Sequence, residues 1–281
     1  MTSRPHDKPA LTDTAQRALT RDGAKIAYRV FGDGPCVVLI PSLGRGSEDF
    51  DLLVPGLAQS GLKLILPEPR GIEGSSPLGS NDTLHDMAAD IAAIIEEENA
   101  APAVLVGHAA GNWVARVLAH DRPDLTRAVA LVAAIVTNVV PGEVSASISA
   151  SFDMTLSDQE RLGHLQRVYF APGADASVWL DGWWPEVSAA QRRAAKATLD
   201  KDWIRVADRH PTLYVGASDD VISPPPHLGE LRHTIGPLAD CRTVQNAGHA
   251  LLPEQPEAVV QALTDWLKSL PDQGRDTSRV T

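Results

Sequence analysis

The chain is poor in cysteine, in basic charge and in long apolar runs, and each shortage closes off a class of protein. Its two cysteines, Cys36 and Cys241, stand far apart in no metal or redox spacing. A disulfide scaffold or a structural zinc site needs more. Cys36 opens an apolar stretch and reads as a buried free thiol, which suits a reducing compartment. Lysine and arginine number 25 against 36 aspartates and glutamates, a formal net charge of −11. That balance disfavours nucleic acid and anionic membrane surfaces as partners. No stretch reaches the roughly 18 continuous apolar residues of a membrane span. Residues 1–22 are polar and hold no apolar signal core, so the expected location is cytoplasmic. Aromatic residues are scarce at 5 %, and the tryptophans are unevenly spread: five of the six fall at or after Trp179, three of them within 179–184.

What is present is a rhythm of apolar runs and amphipathic segments. Ile26–Phe31 alternates as an edge strand does, and Gly32-Asp33-Gly34-Pro35 turns it. Cys36–Ile40, Leu62–Leu66, Ala103–Val106 and Ala128–Ala133 are continuous apolar runs, the mark of strands covered on both faces. Ser47 is placed to cap a helix carrying Phe50, Leu53, Val54 and Leu57, and 82–98 forms a clear amphipathic helix. Strands alternating with helices predict an α/β fold, a mostly parallel sheet with helices on both faces. The rhythm breaks at about Thr137 and returns at Thr212. Residues 137–209 are helical and irregular, and read as an insertion over the carboxyl ends of the strands, where open α/β sheets bind ligands. The expected organisation is a polar lead-in (1–18), a core (19–136 and 210–270), a helical cap (137–209) and a polar tail (271–281).

Three stretches then converge on one chemistry. Gly107-His108-Ala109-Ala110-Gly111 lies between an apolar strand and a helix, the context of a G-x-S-x-G nucleophile elbow, but Ala109 stands where the nucleophile belongs. Asp219-Asp220 follows the strand at Thr212–Val215. His249 follows the last strand and precedes the last helix. The order elbow, acid, histidine is that of a triad whose members meet in space.

On Gly107-His108-x-x-Gly111, Asp220-x-x-x-Pro224 and Gly248-His249 before Pro253-Glu254-x-Pro256, the chain from about Leu19 to Leu270 resembles the α/β-hydrolase superfamily, in its capped, epoxide-hydrolase-like and esterase-like branch. The resemblance implies His249 as base and Asp220 as its orienting acid, with Asp219 as competitor; the spacing of Asp220 to Pro224 matches the family pattern. It implies an oxyanion hole from the N–H groups of Ala110 and Leu43. Ser42, His108, Trp183 and Trp184 are the substrate-contact candidates. The plainer reading of His108 is support of the turn, and of Ser42 a bond to local backbone. For Trp183 and Trp184 the choice between lining a pocket and anchoring the cap stays open.

Ala109 allows two explanations, a native alanine or an engineered Ser→Ala trap. Departures from the family pattern at Pro41-Ser42, Glu68 and Glu73 favour the native one. The implied activity is hydrolysis of a small acyl-type substrate, an ester, lactone or carbamate, bound under the cap. The alternatives are a non-hydrolytic enzyme using His249 as base (lyase, isomerase or cofactor-free oxygenase) and a silent binding protein. No metal cluster is visible, the glycine-rich loops match no dinucleotide fingerprint, and no cofactor is expected. The expected partner is a small-molecule substrate, with no nucleic acid and no membrane; a homo-oligomer is left open.

Overall fold

In the computed structural model, residues 15–136 and 138–271 are described. The ends of the lead-in and of the polar tail, and Thr137, lie outside them. Among the described residues eight strands form one sheet. In chain order they are β1 (Ala15–Arg21), β2 (Ala24–Phe31), β3 (Cys36–Ile40), β4 (Lys63–Pro67), β5 (Ala103–His108), β6 (Thr126–Val132), β7 (Thr212–Ala217) and β8 (Ala239–Val244). Their spatial order is β1-β2-β4-β3-β5-β6-β7-β8. β2 runs antiparallel to both β1 and β4, and the remaining neighbours are parallel.

The central strands are apolar throughout because each residue faces one of two cores. Val38, Ile40 and Leu105 pack under α2 (Leu84–Glu97), α3 (Gly111–Asp121) and, further along, α7 (Leu228–Ile235). Val37, Leu39, Val104 and Val106 pack on the other face, under α1 (Val54–Gln59) and α9 (Pro256–Ser269). Strand side chains alternate between faces, so a strand covered twice has no place for a polar residue. The helix α2 starts at a reciprocal cap: the Thr83 N–H and hydroxyl both donate to Asp86, at 2.8 Å each.

Between β6 and β7 the chain leaves the sheet and forms α4 (Gly142–Ser151), α5 (Asp158–Val168) and α6 (Pro185–Ala197). Leu165, Tyr169, Phe170, Trp179 and Trp183 form a third apolar cluster there, packed onto Ile222 and Ala250 of the sheet domain. A short helix α8 (Leu251–Glu254) precedes α9. No helix among the described residues is long and apolar enough to cross a membrane.

Four sequence expectations are corrected. Ala15–Arg21 is not lead-in but strand β1, paired along its whole length with β2; β2 is therefore interior, not an edge. Ser47 does not cap a helix. Its hydroxyl is taken by Glu68 and accepts from Arg29 Nε at 2.9 Å, so the chain makes a single tight turn, Ser47–Phe50, before α1. The end of the insertion does not belong over the strand ends: Trp203, Val206 and Ala207 join the core under α3 and α7.

Candidate active site

The site begins with a strained turn. β5 is fully buried and delivers the chain into Ala109, whose φ is +44°, left-handed backbone that an L-residue adopts at a cost of about 1–2 kcal/mol. Such strain persists only where the surroundings over-determine it. Here they do. Ala109 N–H donates to Val132 O at 2.8 Å, and Ala109 O accepts from both the backbone and the side-chain amide of Asn112. The flanking glycines are obligatory: a Cβ on Gly107 would stand 2.6 Å from the Asn112 backbone, and one on Gly111 2.6 Å from Pro41 O. The chain keeps the whole sharp turn and presents a methyl at its apex.

Asp220 and His249 come from the loops after β7 and β8. His249 Nδ1 lies 2.9 Å from Asp220 Oδ2. The rest of the carboxylate is saturated: Oδ1 accepts from Ile222 N and Ser223 N at 2.8 Å each, and Oδ2 also from Ser223 Oγ at 2.9 Å. Burial would raise the Asp220 carboxyl, but the adjacent His249 and these hydrogen bonds outweigh it and hold it below the ordinary value. Asp219, one residue earlier, is exposed, and its carboxylate accepts from Ser218 Oγ at 2.6 Å.

His249, Ala109, Ala110 and Leu43 all line one cavity of about 170 Å³. Ser42, Trp179 and Trp183 line it too, as do Phe152 and Tyr169 from the insertion. Trp184 does not. It opens instead on an outer cleft beside Glu48, Glu68 and Glu73. Trp184 lies in extended backbone ahead of α6 (φ −120°, ψ 85°), and Trp183 borders both the cavity and the outer cleft. His108 is also off the cavity. It is fully buried behind the turn, with Nε2 3.2 Å from His249 O and its ring 6.2 Å from that of Trp179. Burial first, then the neighbouring His249, pushes its pKa down to about 4, so it is neutral at ordinary pH.

Two residues at the site had no motif in the sequence, and a third stood in one without an assigned role. Arg45 stacks its guanidinium 4.8 Å and 4.9 Å from the rings of Trp179 and Trp183, and pairs with Asp49 through Nε at 3.0 Å. Tyr169 contributes its ring, 5.8 Å from that of His249, and its carbonyl, which accepts from Ala250 N at 2.7 Å. Glu254 accepts from Gly248 N and Ala171 N, both at 2.8 Å, tying the histidine loop to the insertion. Only its place in the Gly248-His249…Pro253-Glu254 stretch hinted at it. No group of three or more His, Cys, Asp or Glu among the described residues is placed to hold a metal ion.

A strand–turn–helix elbow, an acid after β7 and a histidine after β8 define an α/β-hydrolase. Residues 37–262 match the model of the alpha/beta hydrolase family, and the chain belongs to that family. It is 25 % identical over 251 residues to the sn-1-specific diacylglycerol lipase ABHD11 of Mus musculus, covering 83 % of this chain and 81 % of that one. It is likewise 25 % identical to a non-heme haloperoxidase of Rhodococcus erythropolis, over 88 % of this chain and 97 % of the other. A thermophilic esterase from Thermogutta terrifontis superposes with a TM-score of 0.72 at 19 % identity, covering 92 % of this chain and 99 % of that one, which speaks to the fold.

Proposed function

We propose that this α/β-hydrolase cleaves a small, reactive acyl compound by direct attack of water, with Ala109 as the native residue and no acyl-enzyme. An ester, lactone or carbamate under the helical cap fits this reading. The observation that carries it is the 2.9 Å His249–Asp220 contact facing the same cavity as the methyl of Ala109. A covalent route needs a nucleophilic atom at the turn, and alanine has none.

The residues divide the work as follows. His249 Nδ1–H donates to Asp220, which leaves Nε2 free to take a proton from water. The water oxygen then bonds to the acyl carbon. Asp220, ionised through its depressed pKa, stabilises the imidazolium that forms. The new oxyanion is held by the N–H groups of Leu43 and Ala110. His249 returns the proton to the leaving group as the carbon–heteroatom bond breaks. The methyl of Ala109 leaves room for the water where a serine oxygen would otherwise sit. Such a site works with what an oxyanion hole, a base and binding supply, on the order of 10³–10⁴ over water when a triad member is missing, which suits a labile substrate.

The test is a panel of activated esters, lactones and carbamates, followed by mass spectrometry of the protein during turnover. His249→Gln should lower kcat by about 10²–10⁴ with little change in KM, and no mass adduct should accumulate. Equal turnover in His249→Gln would overturn the assignment. If no acyl compound turns over, His249-dependent deuterium exchange at an acidic C–H would point instead to a lyase or isomerase.

A further inference from the structure

Ser42, Leu43, Ala110 and Trp113 form a wall with a cavity on each side. One is the aromatic chamber holding His249. The other holds about 50 Å³ and lies under the β3 loop against α2, its wall made by Ile26, Ile40, Leu84, Met87, Ile91 and Val114. The chambers differ in chemistry. The first is wide and ringed by Phe152, Tyr169, Trp179 and Trp183, with Phe152 and Trp183 edge to face at 4.7 Å. Aromatic walls of this kind favour a planar group. The second is narrow and aliphatic. Its charged members are Arg70 and Asp90, paired at 2.7 Å and 2.8 Å, and Glu68, whose carboxylate accepts from the backbone N–H and the hydroxyl of Ser47. A narrow apolar space of this sort accepts an unbranched hydrocarbon and rejects a ring.

The dividing wall carries the two N–H groups assigned above to the oxyanion. A carbonyl held there has two arms, and the two chambers border the residues that would hold it. We infer that the substrate is bipartite about its carbonyl: a planar arm lies beneath Trp179 and Trp183, and an unbranched alkyl arm passes Trp113 into the second chamber. This rests on the proposed function for the carbonyl's position. Trp113, half-buried and shared by both chambers, is then the residue that separates the two arms.

Alkyl phenyl ketones test this without turnover, because they carry both arms and a carbonyl that water does not cleave. Acetophenone, butyrophenone, hexanophenone and octanophenone would be titrated calorimetrically into the full chain. Affinity should rise about three- to fourfold per added methylene until the chamber is full. Met87→Trp, which fills the chamber from α2, should abolish the gain while leaving acetophenone affinity within about twofold, a result that also certifies the fold. Met87→Ala should move the plateau to a longer chain and serves if Met87→Trp does not fold. Equal affinity for acetophenone and hexanophenone in the unaltered protein would overturn the inference. So would a Met87→Trp protein that weakens both alike, or a Met87→Ala protein with an unmoved plateau. A protein without His249-dependent hydrolysis that still shows the chain-length gain would keep the second chamber and lose only the proposed chemistry.

Discussion

Asp220 holds His249 through one oxygen, at 2.9 Å, while three further donors from Ile222 and Ser223 keep the carboxylate from turning away. The carboxylate is thus held in one orientation. Asp220→Asn keeps the shape but presents an amide that can donate to Nδ1, which would then carry no proton. Turnover should fall about 10²–10⁴-fold, and Asp219→Asn should leave kcat within about twofold, since the Asp219 carboxylate bonds Ser218 and not His249. Steady-state kinetics of both variants on one substrate decide it. Equal losses, or a larger loss in Asp219→Asn, would reverse the assignment. Because the Asp220 carboxyl lies below its ordinary value in the folded chain, its contribution to stability is present above about pH 4 and is lost only as pH falls through its folded pKa.

His108 makes the second pH prediction. Burial takes it from 6.5 down to about 4. Between those values the unfolded chain binds a proton that the folded chain does not, so stability rises with pH across this window. It is fully gained above about 6.5 and eroded towards 4. At about 1.4 kcal/mol per pH unit, falling from pH 6.5 to 5 should remove about 2 kcal/mol. His108→Gln preserves a donor for His249 O and removes the titration. Urea unfolding at pH 7 and pH 5 should show the unaltered protein losing about 2 kcal/mol more than His108→Gln. Parallel losses would show that the buried ring is not the source.

The pattern of legibility follows from what short-range chemistry can encode. The turn around Ala109 was readable because Gly107 and Gly111 are demanded by backbone approach, and such needs leave glycine at fixed places. The sheet strands were readable because two-sided burial forces uniform apolarity. Strand β1 was not: with most of its residues exposed, it is specified by its pairing to β2 and looks polar in isolation. Trp183 and Trp184 could not be told apart, since both border the outer cleft and only the packing of the insertion onto the turn brings Trp183 to the cavity as well. Ser47 looked like a cap because its competing partner, Glu68, lies 21 residues away. The second chamber was illegible for the same reason, as its wall is assembled from six separate segments of the chain.

Glu254 lies outside the proposed reacting groups but next to the loop that carries His249. Its carboxylate closes the histidine loop onto the insertion through two backbone N–H groups, and burial raises its pKa despite both bonds. Glu254→Ala orphans both donors and should cost about 1–3 kcal/mol of unfolding free energy. Because Gly248 precedes His249, kcat should fall further than KM changes. Glu254→Gln retains one acceptor oxygen and should recover part of both. Thermal unfolding and kinetics on the pair test it; a destabilised Glu254→Ala with undiminished kcat would confine the residue to structure.

Ala109→Ser addresses the native-alanine reading most directly. The turn, the acid and the histidine are all in place, and the left-handed backbone at 109 already aims the side chain into the cavity with His249. A serine there would have a base within the same chamber. Two outcomes separate two histories. If alanine replaced a working serine, Ala109→Ser should hydrolyse activated aryl esters with a burst and label with a fluorophosphonate. If alanine is native, the cavity has adapted to water at that spot, and a hydroxyl would crowd it or bond to His249 Nε2 and compete with the water. Labelling should then be slow and incomplete, and turnover of the protein's own substrate should stay level or fall about 10-fold, the effect of a competing hydrogen bond of about 1.4 kcal/mol. The unaltered protein should not label under either history. Stoichiometric labelling with a clear burst in Ala109→Ser would overturn the water-attack mechanism proposed for this chain; a folded variant that resists the probe would support it.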